Sequence, residues 1–150
     1  MKKTIFTLLF LTNISLFAQE KITKLQYAKT EINVPENCIA KSEYEIIDCN
    51  GFSAQWLFLN EEMIKQKVQE QIFSQLEDQF TFKTKKAISF TSQDQLFEGF
   101  VYHLKNGNSR ILAFGRVNEV PLVLNLGFLK EPTENSDLTE FEKNFIVFKK

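Results

Sequence analysis

The sequence predicts an α+β fold in which an antiparallel sheet of about six to seven strands lies between two helices, in the order βββ-α-ββββ-α. Three observations support this prediction. A long segment without Gly or Pro repeats its apolar residues every four positions, which is helical periodicity. Four strand-like runs joined by short polar loops follow that segment. A last segment places apolar residues at steps of three and four, which predicts a terminal helix.

The composition is typical of a single globular domain. The chain has 150 residues, of which 43% are apolar and 25% are charged, and it contains only 5 Gly and 3 Pro. These values exclude the collagen-like and low-complexity classes. A net charge of −1 and the presence of only Arg110 and Arg116 as arginines argue against a nucleic-acid role. We expect no nucleic-acid partner and no cofactor.

The N-terminus has the three-part layout of a secretory signal peptide. Lys2 and Lys3 form a basic region, residues 5–17 are mostly apolar, and polarity begins after Ala18. Cleavage after Ala18 leaves residues 19–150 as one domain. The alternative is an uncleaved anchor, although an apolar stretch of about 13 residues is shorter than the ~20 that a spanning helix needs. We therefore expect export to the periplasm or the extracellular space, with no stable membrane anchor after cleavage.

The two cysteines, Cys38 and Cys49, remain after this processing. An even pair in an oxidising compartment predicts a disulfide. The bond would close a loop of about 12 residues and contribute roughly 3 kcal/mol in the chain-entropy model. The alternative is two buried thiols. A zinc site is disfavoured, because two Cys and one distant His do not supply four ligands.

The first half of the domain is predicted to form short strands followed by a helix. Residues 29–34, 43–47 and 52–59 are the extended candidates, separated by turn-forming residues. Asn60 can cap a helix that runs over residues 61–78. The apolar stripe of this helix consists of Ile64, Val68, Ile72 and Leu76.

The second half of the domain is predicted to form four strands and a final helix. The strand candidates are residues 82–91, 95–105, 109–117 and 120–129. Asn106-Gly107 and Asn118-Glu119 predict two-residue hairpin loops. Ser136 or Asp137 can cap the last helix. We interpret the apolar residues of that helix as core: Leu138, Phe141, Phe145 and Phe148.

The pairing register follows if both hairpin loops have two residues. His103 then faces Arg110, and Arg110 faces Gly127. Because side chains alternate between faces, one face of the sheet becomes almost purely apolar and the other becomes mixed. Each face needs a cover, which the two helices can supply. The apolar face would carry Phe100, Tyr102, Leu104, Ile111, Ala113, Leu122, Leu124, Leu126 and Phe128.

The mixed face holds the candidate binding residues. His103, Arg110, Arg116 and Asn125 would project from neighbouring strands, and an arginine can hold a carboxylate by a two-pronged bond. The alternative is that the last helix covers this face and that these polar groups lie around the edge of the helix. Trp56, the only tryptophan, is a binding candidate if exposed, although we favour a core position in which its indole N–H has a partner.

We expect no catalytic residues and no metal site. Nucleophilic catalysis needs a nucleophile beside a base, which is usually His. The only histidine, His103, is predicted beside Arg110, whose charge disfavours the imidazolium. The sequence contains neither a Gly-x-Ser-x-Gly elbow nor a Gly-rich phosphate loop. Carboxylate pairs such as Glu61/Glu62 lie at helix ends, where we interpret them as solvated surface charge.

Two short motifs and the order of the elements resemble a known family. Pro35-Glu36-Asn37-Cys38 forms a Pro turn, and Gly99-Phe100-Val101-Tyr102 has a Gly-x-x-Tyr pattern. These features resemble the PsbP-like α/β sandwich of small exported proteins, in which a Trp often stands where this chain has Cys38. The resemblance implies that fold over most of the mature chain and a bias toward non-catalytic accessory roles. It carries over no functional residue.

These observations favour a small exported envelope protein that acts as a non-catalytic binding or interaction module. Its partner would be another envelope or secreted protein, and one concrete form of such a module is an immunity or inhibitor protein. The alternative is a small-ligand carrier or small hydrolase with a pocket between sheet and helix. A deep cavity containing both His103 and Arg110 would favour that alternative.

Overall fold

A computed structural model describes residues 20–149, in which nine strands and two short α-helices form. The predicted leader, residues 1–18, lies outside the described residues. The strands are β1 (Lys24–Tyr27), β2 (Thr30–Asn33), β3 (Ile39–Ser42), β4 (Glu45–Cys49), β5 (Phe52–Phe58), β6 (Phe82–Ser92), β7 (Gln95–Leu104), β8 (Ser109–Val117) and β9 (Val120–Phe128). The helices α1 (Glu61–Lys65) and α2 (Val68–Glu77) lie between β5 and β6.

Strands β1 and β2 form a hairpin of their own, and the other seven strands form one antiparallel sheet in the order β3-β4-β5-β9-β8-β7-β6. The helices therefore connect the middle of the sheet, at β5, to its far edge, at β6. Three hairpins then return the chain to β9, which pairs with β5. The α+β class and the antiparallel sheet are confirmed. The segments that cover the two faces of the sheet are not the two long helices that were predicted.

One face of the large sheet, here called the core face, carries the main hydrophobic core. Trp56, Leu124 and Ala113 lie side by side on this face in neighbouring strands. The β1–β2 hairpin and the C-terminal segment cover them: the ring of Tyr27 lies 5.1 Å from that of Trp56 and 5.2 Å from that of Phe145. All five side chains are at most 2% exposed.

The opposite face, here called the helix face, lies partly under α1 and α2. Tyr102 and Val123 on this face are buried. Glu61 of α1 is bonded to Arg116 of β8, and Glu77 of α2 accepts a hydrogen bond of 2.8 Å from the Tyr102 hydroxyl. None of the side chains in these two described helices is fully buried, so this cover is looser than that of the core face.

The helix predicted over residues 61–78 forms with an interruption. Its predicted cap is confirmed, because Asn60 Oδ1 accepts a hydrogen bond of 2.8 Å from the backbone nitrogen of Met63. The interruption is at Lys67, whose φ of 57° is left-handed and costs a residue other than glycine roughly 1–2 kcal/mol. Neither of the described helices is long and apolar enough to cross a membrane.

The C-terminal segment lies on the core face and contains two 3₁₀ turns, Asn135–Asp137 and Glu142–Asn144. This corrects the prediction of a terminal helix. The backbone nitrogen of Phe148 donates to Asn135 Oδ1 at 2.7 Å, and Asn135 Nδ2 donates to the carbonyl oxygen of Phe148 at 2.8 Å. Such side-chain bonds to the backbone compete with helix formation. Leu138 and Phe145 are nevertheless buried, as predicted.

The hairpin loop at Asn118-Glu119 has two residues, as predicted. Both residues have a positive φ, of 48° and 67°, which is the backbone of a type I′ turn. The predicted register between β8 and β9 is therefore confirmed: Arg110 faces Gly127, and Leu112 faces Asn125.

The loop at Asn106-Gly107 is one residue longer, and it corrects the predicted pairing of His103 with Arg110. Only Gly107 has a positive φ, of 93°, which is typical of a three-residue loop with glycine in the left-handed position. The register shifts by one, so that Tyr102 faces Arg110. Because side chains alternate, His103 and Arg110 lie on opposite faces. The same shift moves three residues predicted on the apolar face to the helix face: Phe100, Tyr102 and Leu104.

The predicted disulfide between Cys38 and Cys49 is present. It links the residue before β3 to the last residue of β4, and both cysteines are buried. The bond therefore ties down the hairpin at the outer edge of the sheet. A disulfide is consistent with an oxidising, exported location.

Candidate functional site

The predicted site residues are distributed over four places in the structure. Trp56 lies in the core, His103 lies on the core-face side of β7, and Arg116 lies beside α1. Arg110 and Asn125 are in direct contact on the helix face. The constellation expected on one face therefore reduces to one pair of side chains.

Trp56 is a core residue. Its side chain is packed between Tyr27 and Phe145, with ring distances of 5.1 and 5.6 Å. Its indole N–H donates to the carbonyl oxygen of Gln26 at 3.0 Å, which satisfies the polar atom of a buried indole. The favoured core position of Trp56 is therefore confirmed, and the alternative, an exposed binding residue, is wrong.

His103 connects the sheet to the chain that follows β9. Its Nδ1 lies 2.8 Å from Oγ1 of Thr84 on the outermost strand, and its Nε2 contacts the carboxylate of Glu131. Hydroxyl, imidazole and carboxylate are the group types of a hydrolase triad, but a catalytic triad acts within a concave site, whereas Thr84 is exposed on the edge strand. The arrangement observed fastens the C-terminal segment to β6 and β7.

The positions of His103 and Arg110 also bear on the alternative pocket between sheet and helix. The two side chains lie on opposite faces of the sheet, so a single pocket on the helix face does not contain both. The C-terminal segment lies on the core face and therefore does not cover Arg110 or Asn125 on the helix face, where Asn125 is buried and Arg110 is half-buried. The prediction that a last helix covers these two residues is therefore wrong.

Arg116 already has an anionic partner. Its Nη1 and Nη2 donate to the two carboxylate oxygens of Glu61 at 2.7 and 3.1 Å. These bonds hold the pKa of Glu61 below its usual value. The pair fixes the start of α1 to β8, so the role of Arg116 in this structure is to anchor the helix.

Arg110 has no such partner. Its Nη1 donates to Oδ1 of Asn125 at 2.9 Å, and it forms no salt bridge with any carboxylate of residues 20–149. The ring of Phe80 lies 6.0 Å from its Cζ atom. The side chain is half-buried, and this desolvation lowers the pKa of Arg110. A half-buried cation without a counter-ion is energetically unfavourable unless an anion reaches it.

A groove of about 190 Å³ opens beside Arg110 on the helix face. Gln55 of β5 faces Asn125 of β9 in the sheet register, and both side chains line the groove. Glu45 lines it as well, but its carboxylate lies 3.7 Å from Nζ of Lys41. The groove therefore combines amide groups with the guanidinium, and its single described acid already has a cationic neighbour.

Gly127 makes room for Ser53 and Arg110, two of the residues that line this groove. A Cβ atom at that position would lie 2.4 Å from Oγ of Ser53 and 3.4 Å from Nη2 of Arg110. The absence of a side chain therefore allows the hydroxyl and the guanidinium to lie over the same stretch of backbone.

The strands beside the groove carry most of the exposed apolar side chains. Seven large hydrophobic residues are exposed in the described part of the chain, and five of them belong to β3–β5 or to the turn between β3 and β4. They are Ile39, Tyr44, Ile47, Leu57 and Phe58. Ile47 also lines a second groove, of about 370 Å³, next to the disulfide. We call the surface formed by Ile47, Ser53, Gln55, Leu57, Arg110 and Asn125 the open half of the helix face.

Sequence reasoning missed the contribution of β4 and β5 to this surface. A β-bulge leaves two residues, Ile47 and Asp48, opposite Ser53, and such bulges re-aim side chains at a sheet edge. The one signal in the sequence is the pair Ile46-Ile47, which breaks strict alternation. The pairing of β5 with β9, which brings Ser53 and Gln55 to Arg110, joins residues about 70 positions apart and has no local signal.

No group of three His, Cys, Asp or Glu side chains in residues 20–149 is arranged to hold a metal ion. Comparisons with protein-family models, with curated proteins and with solved structures each found no match to this chain.

Proposed function

We propose that the protein is an exported, non-catalytic interaction module that binds another envelope or secreted protein through the open half of the helix face. The observation that carries the proposal is a groove that contains Arg110, an arginine without a counter-ion among residues 20–149, and that lies beside the exposed side chains of Ile47 and Leu57. Exposed apolar surface of this kind often marks an interaction site. A partner that covers it would remove apolar area from water and supply the missing anion.

Ile47 is the expected centre of the interface. It lies between the two grooves and lines both of them. Protein interfaces typically combine an apolar centre with a polar rim, and arginine is enriched among the residues that dominate binding. Ile47 would supply the apolar centre, and Arg110 with Gln55 would supply the polar contacts.

The exported location rests on the leader predicted at residues 1–18 and on the disulfide. An immunity or inhibitor protein is the concrete form that we favour, because such a module needs a rigid, small domain and a recognition surface but no reactive centre. The N-terminus of the exported chain should then be Gln19, which N-terminal sequencing of the purified protein would establish. An intact Met1 on the exported protein would contradict the cleavage.

Ile47→Asp tests the proposed surface, with Leu96→Asp as the matched control. The two side chains are 48% and 49% exposed, but Leu96 lies in β7 at the other end of the sheet. Each protein would carry a photo-crosslinking residue at Gln55 and be expressed in its native envelope, and crosslinked partners would be identified by mass spectrometry. We expect one main partner for the parent and for Leu96→Asp, and its loss from Ile47→Asp. Equal crosslinking in all three proteins would contradict the proposal.

A further inference from the structure

We infer that Arg110, Asn125 and Ser53 form a seat for the carboxylate of an acidic side chain on the partner protein. The inference deepens the proposed function, since it names the chemistry that the open half recognises. It is argued from the hydrogen-bonding capacity of the guanidinium, from the charges around it and from the position of the seat within the open half.

The guanidinium has unused donors that a ligand can reach. Arginine carries five N–H donors, and the side-chain hydrogen bond formed by Arg110 within residues 20–149 is the one to Asn125. The buried polar atoms without a partner in this part of the chain are Gln69 Oε1 and Ser109 Oγ. The remaining nitrogens of Arg110 are not among them, so they are in contact with solvent, and Arg110 is one of the residues that line the groove.

The surrounding charges favour a single added anion. Glu45 is the acid that lines the groove, and its charge is offset by Lys41 at 3.7 Å. The other arginine of the chain, Arg116, is neutralised by Glu61. Arg110 is thus the cation on this face whose charge an incoming carboxylate would compensate, and a two-pronged bond to a planar carboxylate suits its geometry.

The position of the seat indicates a side chain rather than a chain end. Arg110 faces Gly127, which in turn faces Ser53, and Asn125 faces Gln55, so the seat lies on the β9 side of β5. Ile47 lies on the opposite, β4 side of β5, and Leu57 lies further along β5 itself. A partner segment that covers Ile47 and Leu57 therefore passes beside the seat and reaches it with a side chain. The carboxylate that enters the seat therefore belongs to an Asp or Glu within the segment.

Three small probes distinguish the chemistry. N-acetylglutamate α-methylamide presents a side-chain carboxylate, N-acetylglutamine methylamide is its neutral counterpart, and N-acetylalanine presents a terminal carboxylate. Binding to the mature protein would be followed by the NMR signals of the Arg110 Nε–H and the Asn125 amide. We expect saturable shifts with the glutamate probe at a Kd on the order of 1–10 mM, weaker binding of N-acetylalanine, and no saturation with the glutamine probe.

Variants separate the seat from general charge effects. Arg110→Lys keeps the charge but not the two-pronged geometry, and we expect it to weaken binding of the glutamate probe by roughly fivefold or more. Arg110→Met should abolish binding, while Arg116→Met should leave it unchanged. Amide spectra and unfolding midpoints would verify that each variant folds. If Arg110→Met does not fold, Arg110→Lys still tests the inference.

Four results would overturn the inference: no saturation with the glutamate probe up to roughly 100 mM, equal shifts with the glutamine probe, equal losses in the Arg110 and Arg116 variants, or tighter binding of N-acetylalanine. These results are distinguishable from failure of the proposed function. Probe binding without loss of crosslinking in Ile47→Asp would leave the seat standing and refute the interface. Loss of crosslinking in Ile47→Asp without probe binding would support the interface and refute the seat.

Discussion

The two faces of the large sheet are covered in different ways. On the core face, the β1–β2 hairpin and the C-terminal segment bury Tyr27, Trp56 and Phe145 almost completely. On the helix face, α1 and α2 are tied down mainly at their ends, through Glu61 and Glu77, and none of their described side chains is fully buried. The helix face also includes the open half, where Arg110 forms no salt bridge with any other described residue.

The comparison indicates that the core face mainly stabilises the fold, whereas the helix face is suited to recognition. The core face carries a continuous cluster of buried aromatic and aliphatic side chains, which is the main source of folding free energy. The helix face retains exposed apolar area, which contributes nothing to folding, and a half-buried arginine without a counter-ion among residues 20–149, which costs stability. Features that cost stability without a structural gain are typical of binding surfaces.

The largest expected effect is on the core face. Trp56→Ala removes a fully buried indole and should lower the free energy of unfolding by about 3–5 kcal/mol. Phe73→Ala in α2 removes a half-buried ring and should cost about 1–2 kcal/mol, since less apolar area is lost. Urea unfolding of the mature chain measures both. Equal losses in the two variants would break the distinction between the faces.

A smaller effect is expected where α2 is anchored. Lys85 and then Tyr102 hold the pKa of Glu77 below its usual value through hydrogen bonds. A depressed folded-state pKa stabilises the fold above the unfolded-state pKa, and this stabilisation is lost as the pH falls through the folded-state pKa. Glu77→Gln should therefore cost about 0.5–1 kcal/mol at neutral pH. Unfolding measured from pH 7 downward should bring parent and variant together in acid; a constant difference would contradict the assignment.

The smallest effect is expected at the break between the two helices. Lys67 has a left-handed backbone, and Lys67→Gly removes the steric cost of that conformation while adding freedom to the unfolded chain. We expect a net gain of about 0.5 kcal/mol. The control Lys65→Gly, within α1, should lose about 1 kcal/mol. Thermal unfolding of both variants measures these changes. A lower stability of Lys67→Gly would show that the backbone at Lys67 is not strained.

Much of the fold was predictable because its signals are local. The strand predicted at residues 109–117 has those bounds, and the neighbouring strands differ by one residue or so. The short strands β1 and β3 were missed, since four residues carry too little alternation to be recognised. The terminal helix was wrong because its apolar spacing is equally compatible with 3₁₀ turns that place Leu138 and Phe145 in the core.

The candidate site was predictable in part for the same reason. Arg110 and Asn125 were placed on one face because the type I′ loop at Asn118-Glu119 fixes the register between β8 and β9. His103 was placed there wrongly because a loop of three residues and a loop of two share the Asn-Gly signal, and a shift of one residue exchanges the faces. The contribution of Ser53 and Gln55 depends on the pairing of β5 with β9.

The sequence by itself determined the features that depend on neighbouring residues: the cap at Asn60, the tight turn at Asn118-Glu119, the disulfide between Cys38 and Cys49, and the alternation along β8 and β9. The tertiary structure decided which segments cover each face of the sheet, and it left Arg110 without an anionic partner in the part of the chain that the structure describes. The physical reason is that these outcomes depend on contacts between distant segments, such as β5 with β9, whose energies are set by the complete packing of the sheet and not by any local pattern.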